Sequence, residues 1–411
     1  MSDAPCRLCG APLSVVFADL GSSPLANSFL PPERINSMEP FYPLRALVCS
    51  QCFLAQLEEF ETPEQIFSDY AYFSSYSTSW LEHCRRYCEQ MIEQLGLSER
   101  SQVVELASND GYLLQYFHEH RISVLGIEPA ANVAKVALQK GIATLVEFFG
   151  QDTARSLASE SAADLLIGNN VLAHVPDLND FIAGMKILLR PGGVITMEFP
   201  HLMRLMEENQ WDTIYHEHFS YFSFLTVSRA FETHGLRLFD VEELPSHGGS
   251  LRIYGCHEDD AGKPDTSRAV EMRKREREAG YEQLDTYISY GARVIADKRQ
   301  ILRLLIDLKE QGKRLAGYGA PAKGNTLLNY CGIGTDFLEY TCDLNPHKQG
   351  SFLPGSHIPI LSPEILAKDR PDVVLILPWN LRTEIMKQLS FIGEWGGRFA
   401  ARSPDLRLLS E

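Results

Sequence analysis

The sequence has no long hydrophobic run and no positively charged apolar leader. No apolar stretch approaches the roughly 18 residues that a membrane helix needs. The segment from Met1 to Cys6 lacks the pattern of a secretory signal. Low-complexity blocks are missing too, and 45% of the residues are hydrophobic, which is enough to fill several buried cores. We therefore expect a globular cytoplasmic protein that does not bind membranes.

Positive charge is also scarce. The formal net charge is −16, from 54 acidic and 38 basic residues. A general electrostatic attraction to nucleic acid or anionic lipid is therefore not expected. An anionic small substrate fits only if its site supplies cations locally. The length of 411 residues predicts roughly two to four domains. The oligomeric state is left open, and a monomer is the simplest expectation.

Nine cysteines are present, an odd and unevenly placed set, and four of them form two C-x-x-C pairs. In a reducing compartment such pairs favour a metal over disulfides. Four thiolates satisfy tetrahedral zinc and leave no open position, so the predicted site is structural. The spacing between the pairs is longer than in most zinc ribbons, and unrelated buried cysteines are the alternative. The predicted ligands are Cys6, Cys9, Cys49 and Cys52, whereas Cys84 and Cys88 are predicted to be buried helix residues.

Three regions follow one another along the chain. Residues 1–66 hold the cysteine pairs and much proline, which predicts a small zinc-binding module. Residues 67–260 begin with a helix at about Ser79–Leu95 and then alternate strands with helices, as in a Rossmann-like βαβ sheet. The predicted strands are Val103–Leu106, Val124–Ile127, Asp164–Ile167, Gly193–Met197 after a Pro191–Gly193 turn, Leu236–Val241 and Ser250–Tyr254.

Residues 261–411 are predicted to form a second Rossmann-like α/β domain behind a helical segment. Apolar residues recur at helical spacing between about Arg268 and Gln311, and Gly280 and Gly291 are predicted to break this segment. The predicted strands are Leu315–Gly319, Glu339–Asp343 and Val373–Pro378. The fold class is therefore a multidomain α/β protein with an N-terminal zinc module.

The turn after the first central strand carries the first chemical motif. Glu105 is followed by a short glycine-containing turn, which lets the backbone approach a cofactor closely. This stretch resembles the first motif of Rossmann-like methyltransferases, which implies S-adenosylmethionine. Glu105 would then hold the ammonium of the methionine moiety, and Glu128 would accept the ribose hydroxyls. The other residues expected to line this site are Asn109, Gly111, Phe149, Asn169 and Asn170. The alternatives are an NAD-type fold or no cofactor at all.

Three tyrosines lie in the Tyr/Ser-rich stretch at residues 69–76, near the start of this domain. Tyr72 and Tyr76 either cover the cofactor from the other side or simply pack, and the sequence favours neither.

The segment Tyr215–Ser223 reads Y-H-E-H-F-S-Y-F-S and lies past the fifth central strand. Ligands bind at that carboxyl edge in open α/β sheets. The H-E-x-x-H spacing of a helical metal site is missing. A polar surface loop is the plain alternative. A catalytic loop rich in proton acceptors is the favoured interpretation, because methylation at carbon requires removal of a proton first.

A strand-to-helix turn at Gly317–Thr326 carries glycines and a lysine but is not a Walker A loop. Exposed amides at such a turn favour an anion. Lys323, with Asn325 beside it, is predicted to bind a diphosphate, and a purely structural turn is the alternative. His247 and Arg252 form a second predicted wall of the substrate pocket, where Arg252 would offset substrate charge.

Taken together, these motifs closely resemble the three-domain sugar C-methyltransferases, over nearly the whole chain and in the same order. The resemblance rests on the cysteine pairs, the E-x-x-x-N-D-G turn, Y-H-E-H-F-S-Y-F-S and G-Y-G-A-P-A-K-G-N. It implies a zinc domain, a central class I methyltransferase domain and a C-terminal α/β domain, with the substrate between the last two. It also implies a TDP-4-keto-6-deoxyhexose as substrate, methylated at C-3 or at C-5, with C-3 favoured.

The resemblance also implies a mechanism in which a base removes the proton next to the ketone. His218 is the first candidate for that base, and Tyr215 is either a rival base or a donor to the enolate oxygen. Glu217 would orient the histidine or bind a sugar hydroxyl, and His174 would assist near the methyl donor. The zinc is expected to lie too far away to act as an electrophile.

Three rival functions remain at this stage. One is an S-adenosylmethionine-dependent O- or N-methyltransferase, which needs no adjacent ketone. Another is a dehydrogenase that binds NAD at Gly317-x-Gly319, although it leaves the upstream motifs unexplained. The third is a non-enzymatic zinc-ribbon adaptor, against which the polar Tyr215–Ser223 segment argues.

Overall fold

The computed structural model describes residues 4–62, 74–76, 78–402 and 405–409. These residues form three β-sheets. None of the helices in this described part has the length and apolar character needed to cross a membrane. The predicted fold class, a small zinc-binding module followed by two Rossmann-like α/β units, is confirmed.

The strands are β1 (Val15–Ser23), β2 (Tyr42–Val48), β3 (Ala55–Leu57), β4 (Gln102–Leu106), β5 (Ser123–Ile127), β6 (Thr144–Leu145), β7 (Ala163–Asn169), β8 (Leu189–Pro200), β9 (Ser220–Tyr221), β10 (Leu236–Leu244), β11 (Ser250–His257), β12 (Leu315–Tyr318), β13 (Thr341–Cys342), β14 (Ile360–Leu361), β15 (Val373–Ile376), β16 (Arg398–Ala401) and β17 (Arg407–Leu408). The α-helices are α1 (Thr78–Leu95), α2 (Leu114–Glu119), α3 (Ala131–Gln139), α4 (Gln151–Ser161), α5 (Leu178–Leu188), α6 (Leu202–Glu207), α7 (Phe224–Glu232), α8 (Ser267–Glu278), α9 (Leu284–Glu310), α10 (Ala322–Cys331), α11 (Ile365–Asp369) and α12 (Arg382–Gln388). Short 3-10 helices cover Pro32–Arg34, Ser74–Tyr76, Leu172–His174, Trp211–Thr213, Ser246–Gly248, Trp379–Leu381 and Ser390–Trp395.

The N-terminal sheet is antiparallel, with the strand order β1-β2-β3-β9. Its fourth strand, β9, comes from the segment Tyr215–Ser223, far along the chain from the other three. Ala55 of β3 pairs with Tyr221, and Gln56 pairs with Ser220. The zinc module is therefore joined by backbone hydrogen bonds to the segment that the sequence marks as catalytic.

The central sheet has the order β10-β11-β8-β7-β4-β5-β6. Strands β4 to β8 are parallel, whereas β11 and β10 are antiparallel additions at one edge. The parallel strands are buried on both faces, which explains their continuous apolar runs. Strand order reverses at β4, between β5 and β7, and the crevice above such a switch point is where open α/β sheets bind ligands.

Two helices connect the central and C-terminal sheets. The break at Gly280 is confirmed, since its φ of +83° lies in the left-handed region between α8 and α9. The predicted break at Gly291 is wrong, because α9 runs through it without interruption. A Cβ at Gly291 would lie 3.4 Å from the carbonyl oxygen of Phe17, so this glycine allows α9 to pack closely on β1. The N-terminal sheet, α9 and the C-terminal domain share one hydrophobic core.

The C-terminal sheet has the order β14-β13-β12-β15-β16-β17 and is parallel except for β17. The predicted strand Glu339–Asp343 shortens to Thr341–Cys342, because only these two residues pair with both neighbouring strands. Strand β12 ends at Tyr318, the second residue of the G-Y-G-A-P-A-K-G-N motif, and Gly319–Pro321 then lead into α10. The turn is therefore at the carboxyl edge of the parallel strands.

The residues of the predicted Pro191–Gly193 turn lie inside a strand in the structure, not ahead of one. Strand β8 already begins at Leu189, which pairs with Ala163, and the register then skips to Val194 opposite Leu165. Gly192 has a φ of +79° within this irregularity. The chain thus forms a bulge inside a longer strand rather than a turn ahead of it.

Candidate active site

The four predicted metal ligands come together at the tip of the N-terminal sheet. All four Sγ atoms lie within 4.8 Å of one another, and the Sγ–Sγ distances are 3.5 Å for Cys6 to Cys52 and for Cys9 to Cys49. A tetrahedral zinc with Zn–S bonds of about 2.3 Å requires Sγ–Sγ distances of about 3.8 Å, so the cluster fits the ion. The hydrogen bond between Cys52 and Cys6 lowers the pKa of Cys6 and raises the pKa of Cys52. The site is a structural zinc site with a full set of protein ligands.

Cys84 and Cys88 belong to a different environment. Both lie on α1 and are completely buried in the core beside the central sheet, as predicted.

Glu105 lies in β4 directly before the glycine-containing turn and is completely buried. Neither carboxylate oxygen has a hydrogen-bond partner of good geometry among the described residues, although Tyr112 lies close enough to oppose part of the burial effect. Burial raises the pKa of Glu105 well above its ordinary value. A buried carboxylate of this kind needs a cation to be stable, and the ammonium of S-adenosylmethionine fits that requirement.

The turn after Glu105 requires unusual backbone angles. Asn109 has a φ of +49° and Gly111 has a φ of +74°. A Cβ at Gly111 would also lie 3.2 Å from the side chain of Ile142 and 3.3 Å from that of Ala137. Glycine is therefore needed here both for the left-handed conformation and for contact with α3.

Glu128 lies directly after β5, and its carboxylate holds the turn in place. Its Oε2 accepts a hydrogen bond from the backbone N–H of Asn109 at 2.9 Å, and Oε1 accepts one from Ala130 at 2.8 Å. Burial raises the pKa of Glu128 as well. Each oxygen keeps a further lone pair, so the predicted contact with ribose hydroxyls is compatible with these bonds.

The remaining predicted cofactor residues lie around the same crevice. Asn170 follows β7 with a φ of +54°, and its buried Oδ1 has no partner among the described residues. Burial raises the pKa of Tyr112 well above its ordinary value, and a hydrogen bond between Asn169 and the Tyr112 hydroxyl opposes that effect. Phe149 packs edge-on against Phe181, with ring centroids 5.3 Å apart.

The predicted cofactor contacts of Tyr72 and Tyr76 cannot be compared with the structure. Tyr72 lies outside the described residues, as does the side chain of Tyr76.

One short polar contact of the segment Tyr215–Ser223 joins two of its own side chains. The hydroxyl of Tyr215 lies 2.7 Å from Nε2 of His218. A hydrogen bond from His218 to the backbone of Thr213 leaves Nδ1 as the donor, which makes Nε2 the acceptor for the tyrosine hydroxyl. Burial, with the nearby His174, His247 and Lys323, lowers the pKa of His218 well below its ordinary value. The imidazole is therefore neutral at physiological pH and able to accept a proton.

His174 and Glu217 complete this group. The rings of His174 and His218 meet edge to face, with centroids 4.6 Å apart. Burial lowers the pKa of His174 to about 4, despite a hydrogen bond to the backbone of Glu217. Burial raises the pKa of Glu217 to about 7, and its Oε1 accepts a 2.7 Å hydrogen bond from Asn27 of the zinc module. The four predicted catalytic residues thus form one largely buried cluster.

The C-terminal domain directs Lys323 toward the same cluster. Burial lowers the pKa of Lys323 to about 8, and its charge in turn lowers the pKa of His218 and of His247. Its Nζ donates to Asn380 at 2.9 Å and lies 4.4 Å from the ring centre of Trp379. Lys323 is therefore a cation placed between two domains within electrostatic reach of the histidines.

Asn325 has a structural contact of its own. Its Nδ2 donates a 2.6 Å hydrogen bond to the carbonyl of Ala26, which ties α10 to the zinc module.

Arg252 is already neutralised by carboxylates inside the protein. Its NH2 group pairs with Glu198 at 2.7 Å, its NH1 group pairs with Glu242 at 3.4 Å, and the side chain is almost completely buried. Burial opposes ionisation of Glu198, yet His83 and Arg252 lower its pKa to about 2. The predicted role of Arg252 in offsetting substrate charge is therefore opposed by the geometry, because this charge is balanced internally.

Sequence reasoning missed several residues of this region. Asn27 and Trp379 come from the first and last domains, and no local motif marks either. A Cβ at Gly248 would lie 2.4 Å from the ring of Trp379, so this glycine makes room for the C-terminal domain, whereas a Cβ at Gly249 would lie 2.9 Å from Arg204 of α6. Gly248 is the sequence signal of the contact with Trp379.

Comparison with known families assigns all three regions. Residues 6–67 match a zinc binding domain family, residues 80–241 match a methyltransferase domain family, and residues 245–404 match the C-methyltransferase C-terminal domain family. The central sheet extends to His257, so its last strand falls within the segment matched by the third family. Fold, cysteine cluster and buried glutamate together define a zinc-containing methyltransferase that uses S-adenosylmethionine.

A relative of similar length narrows this class. The C-methyltransferase NovU of Streptomyces niveus is 37% identical over 407 residues, which cover 98% of this chain and 96% of NovU. The chain belongs to the same family of C-methyltransferases. The resemblance to C-methyltransferases found in the sequence motifs is thereby confirmed.

More distant relatives match less of the chain. The ubiquinone biosynthesis O-methyltransferase of Rhodopseudomonas palustris is 23% identical over 115 residues, 28% of this chain and 45% of that protein. The solved structure of the PH0226 protein from Pyrococcus horikoshii is 15% identical and covers 48% of this chain and 99% of its own, with a TM-score of 0.38.

Proposed function

We propose that this C-methyltransferase transfers a methyl group to a carbon next to the ketone of a TDP-linked 4-keto-6-deoxysugar. The proposal rests on one observation: the Tyr215 hydroxyl donates a 2.7 Å hydrogen bond to Nε2 of the buried His218. Carbon beside a ketone becomes nucleophilic only when its proton is removed. A neutral imidazole with a phenol bonded to it is a suitable acceptor for that proton.

The cofactor would lie across the carboxyl ends of β4, β5 and β7. Glu105 would bind its ammonium, Glu128 its ribose hydroxyls, and Phe149 and Asn169 the adenine side. When bound, S-adenosylmethionine supplies the methyl group that the substrate carbon accepts. The zinc site contributes no open coordination position, so the chemistry is assigned to the side chains of the histidine cluster.

Two proton routes fit the pair, and both end at the same atom. Either Nε2 of His218 takes the carbon-bound proton directly, or the Tyr215 oxygen takes it while passing its hydroxyl proton to Nε2. In both routes the proton is finally on His218, and the carbon retains the electron pair as an enolate. The imidazolium that results is destabilised by burial, which favours release of the proton after methyl transfer.

The same pair also suits stabilisation of charge on the ketone oxygen. In the first route the Tyr215 hydroxyl leaves Nε2 before that nitrogen takes the proton, because the nitrogen has a single lone pair, and the hydroxyl is then available to donate to the enolate oxygen. Preorganised donors at a developing oxyanion commonly contribute a large share of the rate. His174, in ring contact with His218, would fix the imidazole plane.

The nucleotide part of the substrate would lie between the central and C-terminal domains. Lys323 would meet the diphosphate, with His247 in the opposite wall. This placement puts a positive charge beside the diphosphate, as an anionic substrate requires in a protein with a net charge of −16. The C-3 position is favoured over C-5 as the site of methylation. The protein is proposed to act as a cytoplasmic monomer, with domains at residues 1–66, 67–260 and 261–411.

One incubation tests the reaction directly. The protein is mixed with methyl-labelled S-adenosylmethionine and a TDP-4-keto-6-deoxyhexose in deuterated water. We expect label on a sugar carbon, and deuterium beside the ketone when the methyl donor is left out. Label on an oxygen would replace the proposal by O-methylation, whereas unlabelled sugar would remove this substrate class. The position of the carbon label by NMR distinguishes C-3 from C-5.

A further inference from the structure

Arg7 follows the zinc ligand Cys6 directly, and its side chain leaves the zinc module. Its NH1 group donates to the carbonyl of Pro176 at 2.7 Å, and its NH2 group donates to the carbonyl of Leu57 at 2.6 Å. We infer that Arg7 is a positioning residue that holds the His174 and His218 segments in register with each other. The inference rests on the proposed function for the catalytic roles of the two histidines.

The contact with Pro176 fixes the first of these segments. Pro176 lies two residues after His174, at the carboxyl edge of β7. The backbone around Arg7 is held from the same side, because Nδ2 of Asn179 donates to the carbonyls of Arg7 at 3.0 Å and of Leu8 at 3.1 Å. Three hydrogen bonds therefore join Arg7 and Leu8, which lie between the zinc ligands Cys6 and Cys9, to the segment that follows His174.

The contact with Leu57 fixes the second segment. Leu57 ends β3, and its N–H donates to the carbonyl of Phe219 at 3.0 Å. The guanidinium carbon of Arg7 also lies 5.2 Å from the ring centre of Phe219, which is buried. Phe219 is the residue next to His218. Arg7 thus reaches the base segment by a hydrogen bond through β3 and by a cation–π contact.

An arginine is suited to this task because its planar fork carries donors that point in different directions. Two carbonyls from separate elements can be held at once, which a lysine ammonium on a flexible stem does less well. The ring centroids of His174 and His218 are only 4.6 Å apart, so a small shift of one segment changes their contact. Loss of the fork should therefore alter the chemical step more than the binding of ligands.

The test compares Arg7→Met and Arg7→Lys with wild type and with Arg45→Met. Arg45 is in the same module and pairs with Glu58 at 3.9 Å, so it controls for loss of an arginine there. Four quantities are measured: zinc per chain, affinity for S-adenosylmethionine, kcat and KM, and histidine side-chain ¹⁵N NMR spectra. The signals of His174 and His218 are assigned with the variants His174→Asn and His218→Asn.

We expect Arg7→Met to keep its zinc and its cofactor affinity, to lose at least about tenfold in kcat with little change in KM, and to shift the His174 and His218 signals. Arg7→Lys should recover part of the loss, and Arg45→Met should match wild type. An Arg7→Met variant with unchanged kcat and unchanged histidine signals would overturn the inference. Loss of zinc from that variant would overturn it too, because Arg7 would then serve the metal site. If wild type itself fails to methylate the keto sugar, the proposed function fails, and the NMR spectra still decide the role of Arg7.

Discussion

The hydroxyl of Tyr215 lies 2.7 Å from Nε2 of His218, in a cluster where the imidazole is almost completely shielded from water. The two residues are three positions apart on one short loop. Thr213, at the end of the 3-10 helix before this loop, holds the imidazole of His218 through its backbone. The β3–β9 pairing holds the loop against the zinc module. The position of this pair therefore depends on local sequence and on domain assembly together.

Substitution of either member of this pair should impair the chemical step. His218→Asn and Tyr215→Phe are each expected to lower kcat by roughly 10²–10⁴-fold, because a positioned base contributes about that much. Cofactor affinity, measured by calorimetry, should change less than threefold or so, since neither residue lies in the Glu105 crevice. Ser289→Ala, a change on the exposed face of α9, serves as the control. A His218→Asn variant at full rate would transfer the role of base to another residue.

Glu105 should show the opposite pattern. Glu105→Gln is expected to weaken S-adenosylmethionine binding about 10- to 100-fold, because a hydrogen bond to a charged group is lost. The ligand-free variant should be more stable than wild type at neutral pH, since a buried carboxylate is removed. The pKa of Glu105 is raised in the folded protein, so the folded state binds the proton more tightly. Ligand-free wild type should therefore lose stability as the pH rises above the ordinary carboxyl pKa.

Thermal unfolding with and without the cofactor checks these expectations. Glu119→Gln, an exposed change on α2, is the matched control. Equal cofactor affinity in Glu105→Gln and wild type would show that the ammonium binds elsewhere.

The parts of the site that sequence reasoning predicted are encoded in short segments. The C-x-x-C pairs carry the zinc geometry within four residues each. The turn around Gly111 needs a left-handed glycine, which leaves a visible mark. The strands of the central sheet are buried on both faces, so their apolar runs stand out in the sequence.

What the sequence did not reveal depends on contacts between distant segments. Asn27 bonds Glu217 across 190 positions, and no local pattern predicts such a pair. The sequence places Arg252 at the substrate, because it does not show that Glu198 and Glu242 lie beside it. It also predicts a helix break at Gly291, although close packing against β1 is the reason for a glycine there. In each of these cases a contact between distant segments, and not the local sequence, determines what the residue does.

Zinc should be needed for the position of the catalytic loop as well as for the N-terminal module. Cys49 directly follows β2, and its N–H donates to the carbonyl of Leu54, the residue before β3. The segment that begins at Cys49 therefore anchors β3, which pairs through Ala55 with Tyr221 of the segment Tyr215–Ser223. Cys49→Ser is expected to abolish stoichiometric zinc and to lower Tm by more than about 5 °C, since a structural zinc contributes several kcal/mol. The rate of methyl transfer should fall with it.

Metal analysis and thermal unfolding decide this prediction. Cys331→Ala, a change of a buried cysteine outside the cluster, is the control and should keep its zinc. Full activity in Cys49→Ser would separate the zinc site from the catalytic loop.

Lys323 should give the substrate affinity a characteristic pH dependence. Its folded pKa is lowered to about 8, so the free enzyme loses this positive charge as the pH rises through that value. We expect KM for the nucleotide sugar to rise above about pH 8 in wild type. Lys323→Met should raise KM at least about tenfold at pH 7 and remove the pH dependence. Lys313→Met, whose exposed lysine pairs with Asp372, is the control. An unchanged KM in Lys323→Met would place the diphosphate elsewhere.

Arg402 should be a principal stabiliser of the assembled domains. It pairs with Asp212 at 2.7 Å and with Asp297 at 2.8 Å, and all three side chains are buried. Trp379 donates to Asp212, and Trp211 donates to Asp297. Arg402→Met leaves two buried carboxylates without a cation, which should cost about 3–5 kcal/mol of unfolding free energy. Because Asp212 precedes the Tyr215 loop by three residues, kcat should fall as well.

The pH dependence of this variant gives the sharper test. Burial already raises the pKa of Asp297 and Arg402 opposes that effect, so without the guanidinium the pKa of Asp297 should rise further and the stability deficit should shrink as the pH falls. Arg402→Met combined with Asp297→Asn should recover part of the loss at neutral pH, since one of the two charges is gone. Arg398→Met, an exposed change at the start of β16, the strand that ends directly before Arg402, should leave Tm within about 1 °C of wild type. A deficit in Arg402→Met that is independent of pH would mean that lost packing against Trp211, rather than uncompensated charge, is its cause.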